Sequence, residues 1–406
     1  MNIEITDLDL EGRGVGRVDG LAVFVPGLLP GERAEIEIEQ RQKRFAIARV
    51  KRLLQAAPLR VKPPCPIYDR CGGCSWQHIA AGEQLALKEK IWLEQLRRIG
   101  KCQPERVLRP VDGPHWHYRR RANLHWDGQH LGFRGRQSHR VVPLTECLTL
   151  DPALNAIIPA LTDLCSANGR AVRAVHLAAG ERINVVQLTV GEWLREVPHW
   201  PGWQIRQKRG DECRQFPEGA PPLSYLIPES AVEINFAPED FTQINGAINR
   251  QLVALVLEEL QIERGEKILD LFCGLGNFSL PLARAGAQVL AIEGVREMVR
   301  KGQLNAQANK LALEFRAADL GKTINWQQLD GFKKWLIDPP RAGAKELLAA
   351  MPLRPRRLVY VSCNPSTLAR DAAMLLAKGY RFESGRLLNM FAQTAHVESL
   401  CVFGYL

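Results

Sequence analysis

The spacing of apolar positions divides the chain into three stretches. Over residues 1 to about 55, apolar and polar residues alternate in short runs, as in Asn2–Thr6, Leu21–Val25 and Ala34–Glu39. Glycine-bearing stretches at Gly12–Gly16 and Pro26–Gly31 separate these runs. Short alternating strands at this spacing predict a small antiparallel barrel. Four prolines between Pro58 and Pro66 mark a linker. From about 83 to 99, Leu85, Leu87, Ile91, Leu93 and Leu96 recur among lysines and glutamates and predict a helix. Between about 117 and 235, runs such as Ala174–Ala178 and Ile183–Val190 predict an α+β region with an antiparallel sheet. Past about 236 the pattern changes to strongly apolar runs separated by helical stretches: Lys267–Phe272, Gln288–Ile292, Trp335–Ile337 and Arg357–Ser362. Buried strands alternating with helices predict a doubly wound α/β domain, whose ligands sit beyond the strand carboxyl ends. The expected units are therefore 1–55, 56–235 and 236–406.

Composition narrows the class. A chain of 406 residues with 46% hydrophobic and 24% charged residues fits a multidomain globular protein. It contains no apolar run long enough to span a bilayer and no secretory leader pattern, so no membrane association and a cytoplasmic location are expected. Net charge is +10, from 54 Lys and Arg against 44 Asp and Glu. The excess gathers at Arg41–Arg44, Arg49–Arg52 and Arg119–Arg121. Such surface suits a polyphosphate partner, although a solvated basic face has the same composition. Ten cysteines in a chain of this length and expected compartment do not form a disulfide framework.

Candidate chemistry lies at the strand ends. Ile268–Asn277 reads as a strand running into a glycine turn, where Gly274 and Gly276 permit positive φ and close approach of a ligand. The turn is not G-x-G-x-x-G, which argues against a dinucleotide. Glu293 ends the next strand, in position to accept hydrogen bonds from ribose hydroxyls. Asp319 and Asp338 end later strands. Cys363 follows a buried strand between polar Ser362 and Asn364, unlike the buried small hydrophobe that most free cysteines are. Separately, Cys65, Cys71 and Cys74 lie close together, and Cys147 is 73 positions beyond Cys74. Three clustered thiols with a distant fourth fit an iron–sulfur centre better than zinc, for which His78 is an alternative ligand, or than unligated thiols.

These segments carry two resemblances. The run from Asp270 to Asp338 resembles the class I S-adenosylmethionine-dependent methyltransferases, which implies Asp270 and Gly274 near the methionine part, Glu293 on the ribose and Asp319 towards the adenine. Five segments together resemble the RNA 5-methyluridine methyltransferases: Phe241–Asn245, Asp270–Asn277, Asp338-Pro-Pro-Arg341, Ser362–Pro365 and His396–Ser399, in order over about 160 residues. That resemblance implies Cys363 as the nucleophile that attacks carbon 6 of uracil and Glu398 as the base that removes the carbon-5 proton. It also implies Gln243, Phe272, Asn277 and Asp338 as cofactor or uracil contacts.

The motif Cys65…Cys71-Gly-Gly-Cys74-Ser-Trp-Gln-His78 is similar to that of the bacterial 23S ribosomal RNA members, which implies a [4Fe-4S] cluster held by Cys65, Cys71, Cys74 and Cys147. Residues 1–55 resemble the TRAM domain, a barrel of the oligonucleotide-binding type, with Arg13, Arg17 and Arg44 placed to hold RNA. For Phe24 and Phe45, alternation favours barrel core over RNA contact. The relative that acts on transfer RNA lacks both barrel and cluster, so their combination implies 23S ribosomal RNA as partner and uridine 1939 as target. The expected assembly is a monomer. Three other readings stay open: carbon-5 methylation of another uridine in 23S ribosomal RNA or transfer RNA, an amino-methyltransferase built on Asp338-Pro-Pro, and an RNA-binding iron–sulfur module without activity.

Overall fold

The computed structural model describes residues 1–405 with the exception of 323. Five strands, β1 (Asn2–Leu8), β2 (Gly14–Val18), β3 (Leu21–Val25), β4 (Arg33–Arg41) and β5 (Phe45–Gln55), close a barrel in the order β1-β2-β3-β5-β4. Closure removes the exposed edges that a five-strand sheet would otherwise carry. The barrel is not purely antiparallel: β3 and β5 pair in parallel, Ala22 opposite Phe45. Its core is aliphatic, with Ile3, Ile5, Val23, Val25 and Ile36 packed against Ala46 and Ala48. Phe24 and Phe45 are not in that core. The pleat turns Val23 and Val25 inwards, so Phe24 faces out and meets the ring of Phe45 edge-on at 5.7 Å, with Arg13 over Phe24 at 4.9 Å.

After the barrel come the cysteine-bearing loops, a helix at Ala81–Gln95 that continues as a π-helical turn at Leu96–Gly100, and a short strand, β6 (Arg106–Val107). The helix forms where its leucine spacing predicts, but its fully buried side chains are Gln84, Lys88, Ile91 and Trp92. The middle of the chain then builds a seven-stranded sheet from β7 (Arg121–Trp126), β8 (Leu131–Arg134), β9 (Val141–Pro143), β10 (Val172–Ala178), β11 (Asn184–Val190), β12 (Trp203–Arg209) and β13 (Glu212–Phe216). Its order is β13-β12-β11-β10-β7-β8-β9, antiparallel except at β11–β12.

A hairpin of β14 (Ser224–Ile227) and β15 (Val232–Asn235) leads into the last unit. Leu223, Ile227, Val232 and Ile234 pack into the core of that unit, so its apolar interior begins ahead of residue 236. Its strands are β16 (Lys267–Leu271), β17 (Gln288–Glu293), β18 (Glu314–Ala317), β19 (Lys334–Ile337), β20 (Arg357–Ser362), β21 (Arg381–Leu388) and β22 (Glu398–Gly404). They are arranged β18-β17-β16-β19-β20-β22-β21, with β6 added in parallel at the far edge. The sheet is buried on both faces: Leu336, Val359 and Val402 enter one apolar cluster, and Trp335, Leu358 and Phe403 the other. That double burial explains the near-continuous apolar runs. Among the described residues, no helix is long and apolar enough to cross a membrane.

One topological detail positions everything that follows. Strands β16 to β20 are parallel, whereas β22 inserts antiparallel between β20 and β21. The amino end of β22 therefore lies beside the carboxyl end of β20.

Candidate active site

The pairing of β20 with β22 sets Val361 opposite Leu400 and Ser362 opposite Ser399. One step further along that register, Cys363 leaves β20 beside the first residue of β22, Glu398. A separation of 35 positions in sequence is thus closed by the sheet itself. Asn364 then caps the helix Pro365–Ala377, its Oδ1 accepting from Ser366 N at 3.0 Å, with Pro365 at the first helical position. The Asn364 amide also donates to the Arg341 carbonyl at 3.1 Å, tying the Cys363 turn to the Asp338-Pro-Pro-Arg341 loop after β19.

Acidic groups converge on this end of the sheet. Glu398 is 2% exposed, and its carboxyl is held well above the usual range by burial and by the nearby charge of Asp338. Burial, with Asp270 close by, pushes Asp338 up to about 8. Asp270, on β16, is pushed up to about 7 by burial and by Glu293, against the hydrogen bond that Ser279 Oγ donates to its Oδ2 at 2.5 Å. Its other oxygen, Oδ1, is buried without a partner. Cys363 is half-buried, and its thiol is pushed up to about 12 by burial first, then by Glu398 and Asp338. The Arg341 guanidinium pulls it down, a role that the motif reading did not assign.

The glycine turn after β16 is shaped by backbone. Phe272 (φ 63°), Gly274 (φ 54°) and Gly276 (φ 93°) all have positive φ, and a Cβ on Gly276 would meet Leu280 at 2.7 Å. The carboxylate of Glu293, at the end of β17, accepts from Gly274 N at 3.2 Å and Val295 N at 3.0 Å. It therefore braces the turn at the crevice. Asp319 lies in an exposed turn past β18, its Oδ1 accepting from Gly321 N. Asn277 is held from outside the crevice: its Oδ1 accepts from Tyr225 Oη and Asn249 Nδ2, each at 2.9 Å, and its Nδ2 donates to Asn249 Oδ1. Tyr225 and Asn249 also line a cavity of about 270 Å³ between the central and last units, which Gln243 enters with its amide oxygen buried and unpartnered. Sequence motifs could not point to Tyr225, since it comes from a hairpin outside them. Cys273, the rival thiol by position, is 5% exposed and pushed far up by burial, so it faces core rather than crevice.

The four remaining candidates, Cys65, Cys71, Cys74 and Cys147, line one small apolar cavity of about 20 Å³ along with Ile67 and Phe133. All four are free thiols. Gly73 N donates to Cys71 Sγ at 3.4 Å, and Cys147 Sγ lies 3.3 Å from Thr149 Oγ1. His78 turns away from them to Tyr68, Nδ1 to Oη at 2.6 Å, and does not line the cavity. Among the described residues, no group of three or more His, Cys, Asp or Glu is arranged to hold a single metal ion. The basic triplet Arg119–Arg121 also differs from an open RNA face. Arg120 pairs with Glu181 at 2.7 Å within the central unit, whereas Arg121 donates to Thr242 and to the Pro238 carbonyl and so fastens the central unit to the last one.

Comparison with known proteins adds independent findings. The tRNA (Uracil-5-)-methyltransferase family matches residues 226–404, and the TRAM domain matches residues 1–51. The 23S rRNA (uracil(1939)-C(5))-methyltransferase RlmD of Dichelobacter nodosus is 42% identical, over 98% of this chain and 97% of its own. That of Neisseria lactamica is 41% identical, over 99% of this chain and 95% of its own. Among solved structures, the Pyrococcus abyssi tRNA (uracil-54, C5)-methyltransferase in complex with S-adenosyl-L-homocysteine superposes with a TM-score of 0.81 at 26% identity, over 99% of this chain and 100% of that one. A transfer-RNA enzyme can therefore share this architecture end to end, so domain content does not separate the two RNA substrates.

Proposed function

The chain belongs to the 23S rRNA (uracil(1939)-C(5))-methyltransferase family, and from that premise we propose that it methylates carbon 5 of uridine 1939 in 23S ribosomal RNA. The observation that carries the reading is the register of β20 and β22, which sets Cys363 beside Glu398 at the carboxyl end of the sheet. S-adenosylmethionine, when bound, supplies an electrophilic methyl group on a sulfonium centre. The Asp270 Oδ1, unpartnered among the described residues, and the raised carboxyls of Asp338 and Glu398 form an acidic crevice that a cation would drive to its ionised form. Glu293, Asp319, Phe272, Asn277 and Gln243 are its further candidate contacts or supports.

The residues divide the work as follows. Cys363 adds its sulfur to carbon 6 of the extruded uracil, and the ring electrons then make carbon 5 nucleophilic. Arg341 favours the thiolate, and the acidic neighbours oppose it until positive charge fills the crevice. Once carbon 5 carries its methyl group, Glu398 takes the proton from that carbon. The electron pair of the C–H bond re-forms the ring double bond and expels Cys363. Cys65, Cys71, Cys74 and Cys147, gathered around one small cavity, are the proposed ligands of a [4Fe-4S] cluster, since four free thiols would on deprotonation supply a soft ligand set. The barrel, with Phe24, Phe45 and Arg13 on its outer face, is a proposed RNA contact, through stacking and phosphate neutralisation.

The test is methyl transfer to a 23S fragment containing uridine 1939, to the same fragment with cytidine there, and to transfer RNA. Incorporation into the first alone is expected; equal incorporation into transfer RNA would overturn the choice of substrate. Cofactor affinity should also depend on pH. Asp338 and Asp270 are raised to about 8 and 7 in the free site, so they hold protons near neutrality. A bound sulfonium favours their ionised forms, so binding releases protons and affinity rises with pH until about 8. The slope is roughly tenfold per pH unit for each proton released. Titration calorimetry from pH 6 to 9 would check this, with a flatter profile expected for S-adenosylhomocysteine, which lacks the sulfonium charge.

A further inference from the structure

Glu398 is reached through an irregular stretch, residues 389–397, between β21 and β22. That stretch is almost wholly buried, and Gln393 within it has φ 64°. Buried backbone outside a helix or ladder must find other partners, and a non-glycine residue at positive φ persists only where its surroundings hold it. Here the holding groups come from residues 75–118, apart from Arg341 beside His396. Lys88 Nζ donates to the Phe391 carbonyl and to Asn389 Oδ1, both at 2.9 Å. Gln84 clasps Gln393 twice, accepting from its backbone N and donating to its side-chain oxygen, each at 3.0 Å. Ser75 N and Trp76 N both donate to the Gln393 carbonyl, and Ser75 Oγ accepts from Ala395 N. Tyr118 Oη donates to the Ala392 carbonyl at 2.8 Å.

This accounts for the unusual face of the helix Ala81–Gln95. Two polar side chains, Gln84 and Lys88, are 0% and 1% exposed because their polar atoms serve the 389–397 stretch and, for Gln84, also the Trp76 and Ile79 carbonyls, rather than water. Burying them unpaired would cost several kcal/mol. Ser75 and Trp76 directly follow Cys74, so the cysteine cavity and the approach to Glu398 share one continuous piece of chain. Trp76, Ile79, Ile91 and Ala395 pack in one apolar cluster with Leu8 and Leu29 of the barrel unit.

We propose that Gln84 and Lys88 are positioning residues for the proton-removing step, holding the 389–397 stretch so that Glu398 meets carbon 5 of the uracil. The inference rests on the roles given above to Cys363 and Glu398. It makes a specific demand on the kinetics: addition of Cys363 and methyl transfer do not need Glu398, whereas release of the methylated RNA does. A displacement of the base by about 1 Å slows such a step by roughly 10²-fold.

The experiment compares wild type, Gln84→Ala and Lys88→Met with the 23S fragment and labelled cofactor. In both variants, kcat should fall by one to two orders of magnitude and KM for RNA should fall with it, leaving kcat/KM near wild type, because the slowed step follows methyl transfer. A denaturation-resistant protein–RNA adduct carrying the label should accumulate during turnover, at an initial rate near that of wild type. Ser75→Ala, which removes only the acceptor for Ala395 N, should do the same to a smaller degree and carries the test if the other variants do not fold. Normal turnover, or adduct formation falling in parallel with turnover, would overturn the positioning role. If wild type itself forms no adduct on RNA carrying 5-fluorouridine, the underlying roles of Cys363 and Glu398 fail instead.

Discussion

Replacing Cys363 by alanine is expected to remove turnover, by roughly 10⁴-fold or more, while leaving RNA and cofactor affinity close to wild type. Carbon 5 of uracil gains nucleophilic character only when carbon 6 is attacked, and among the described residues no other group at this end of the sheet is free to make that attack. Cys273 is buried in the core, with its thiol pushed far up. The Ser362 hydroxyl is taken up by the Asn364 backbone at 3.2 Å. RNA carrying 5-fluorouridine at the target should give a denaturation-resistant adduct with wild type, because fluorine cannot leave as a proton. The adduct should vanish in Cys363→Ala and persist in Cys273→Ala, and peptide mapping should place it on residue 363. Full methylation by Cys363→Ala would instead favour an amino-methyltransferase, which needs no thiol.

The sequence made the parts of this site legible better than their arrangement. The glycine turn, the strand-end acids and Cys363 are local features, set by short-range geometry that a linear reading can follow. The pairing of Cys363 with Glu398 comes from the insertion of β22 between β20 and β21, a long-range choice that no local pattern encodes. Periodicity failed where burial is not apolar. Leu85, Leu87 and Leu93 gave the helix, yet Gln84 and Lys88 occupy its buried face because they serve the 389–397 stretch. In the barrel, aliphatic Val23 and Val25 fill the interior, so the larger aromatic Phe24 is left outside. Charge was equally ambiguous in sequence: Arg120 is paired with Glu181, Arg121 is spent on a contact to the last unit, and Arg49 on Glu37 at 2.6 Å, so clustered arginines overstate the free basic surface. Nor does domain content choose the RNA, since a transfer-RNA enzyme superposes over the whole chain. That choice rests on full-length identity to the ribosomal enzymes.

Glu398→Gln should produce a different failure from Cys363→Ala. Glutamine fills the same space, and it suits a site where the native carboxyl already favours its neutral form. The variant should therefore fold, bind RNA and add Cys363 to the uracil. It cannot take the carbon-5 proton, so the reaction stops after methyl transfer with RNA still joined to Cys363. Turnover should fall by about 10²- to 10⁴-fold, while a labelled protein–RNA adduct rises to nearly one per chain. The pH dependence separates the two steps further. In wild type the Glu398 carboxyl is raised by burial and by Asp338, so the fraction able to accept a proton grows with pH over a range well above that of an ordinary carboxylate. Product release should follow that rise, and glutamine, which does not titrate, should abolish it. Adduct formation should respond in the opposite sense to the mutation. After burial, the ionised form of Glu398 is the largest influence raising the Cys363 thiol, so wherever the native carboxyl is ionised the variant forms its thiolate more readily. At pH 7 the variant should thus form its adduct at least as fast as wild type. A uniformly slower adduct in Glu398→Gln would place Glu398 upstream of proton removal, as a group that orients the uracil for attack.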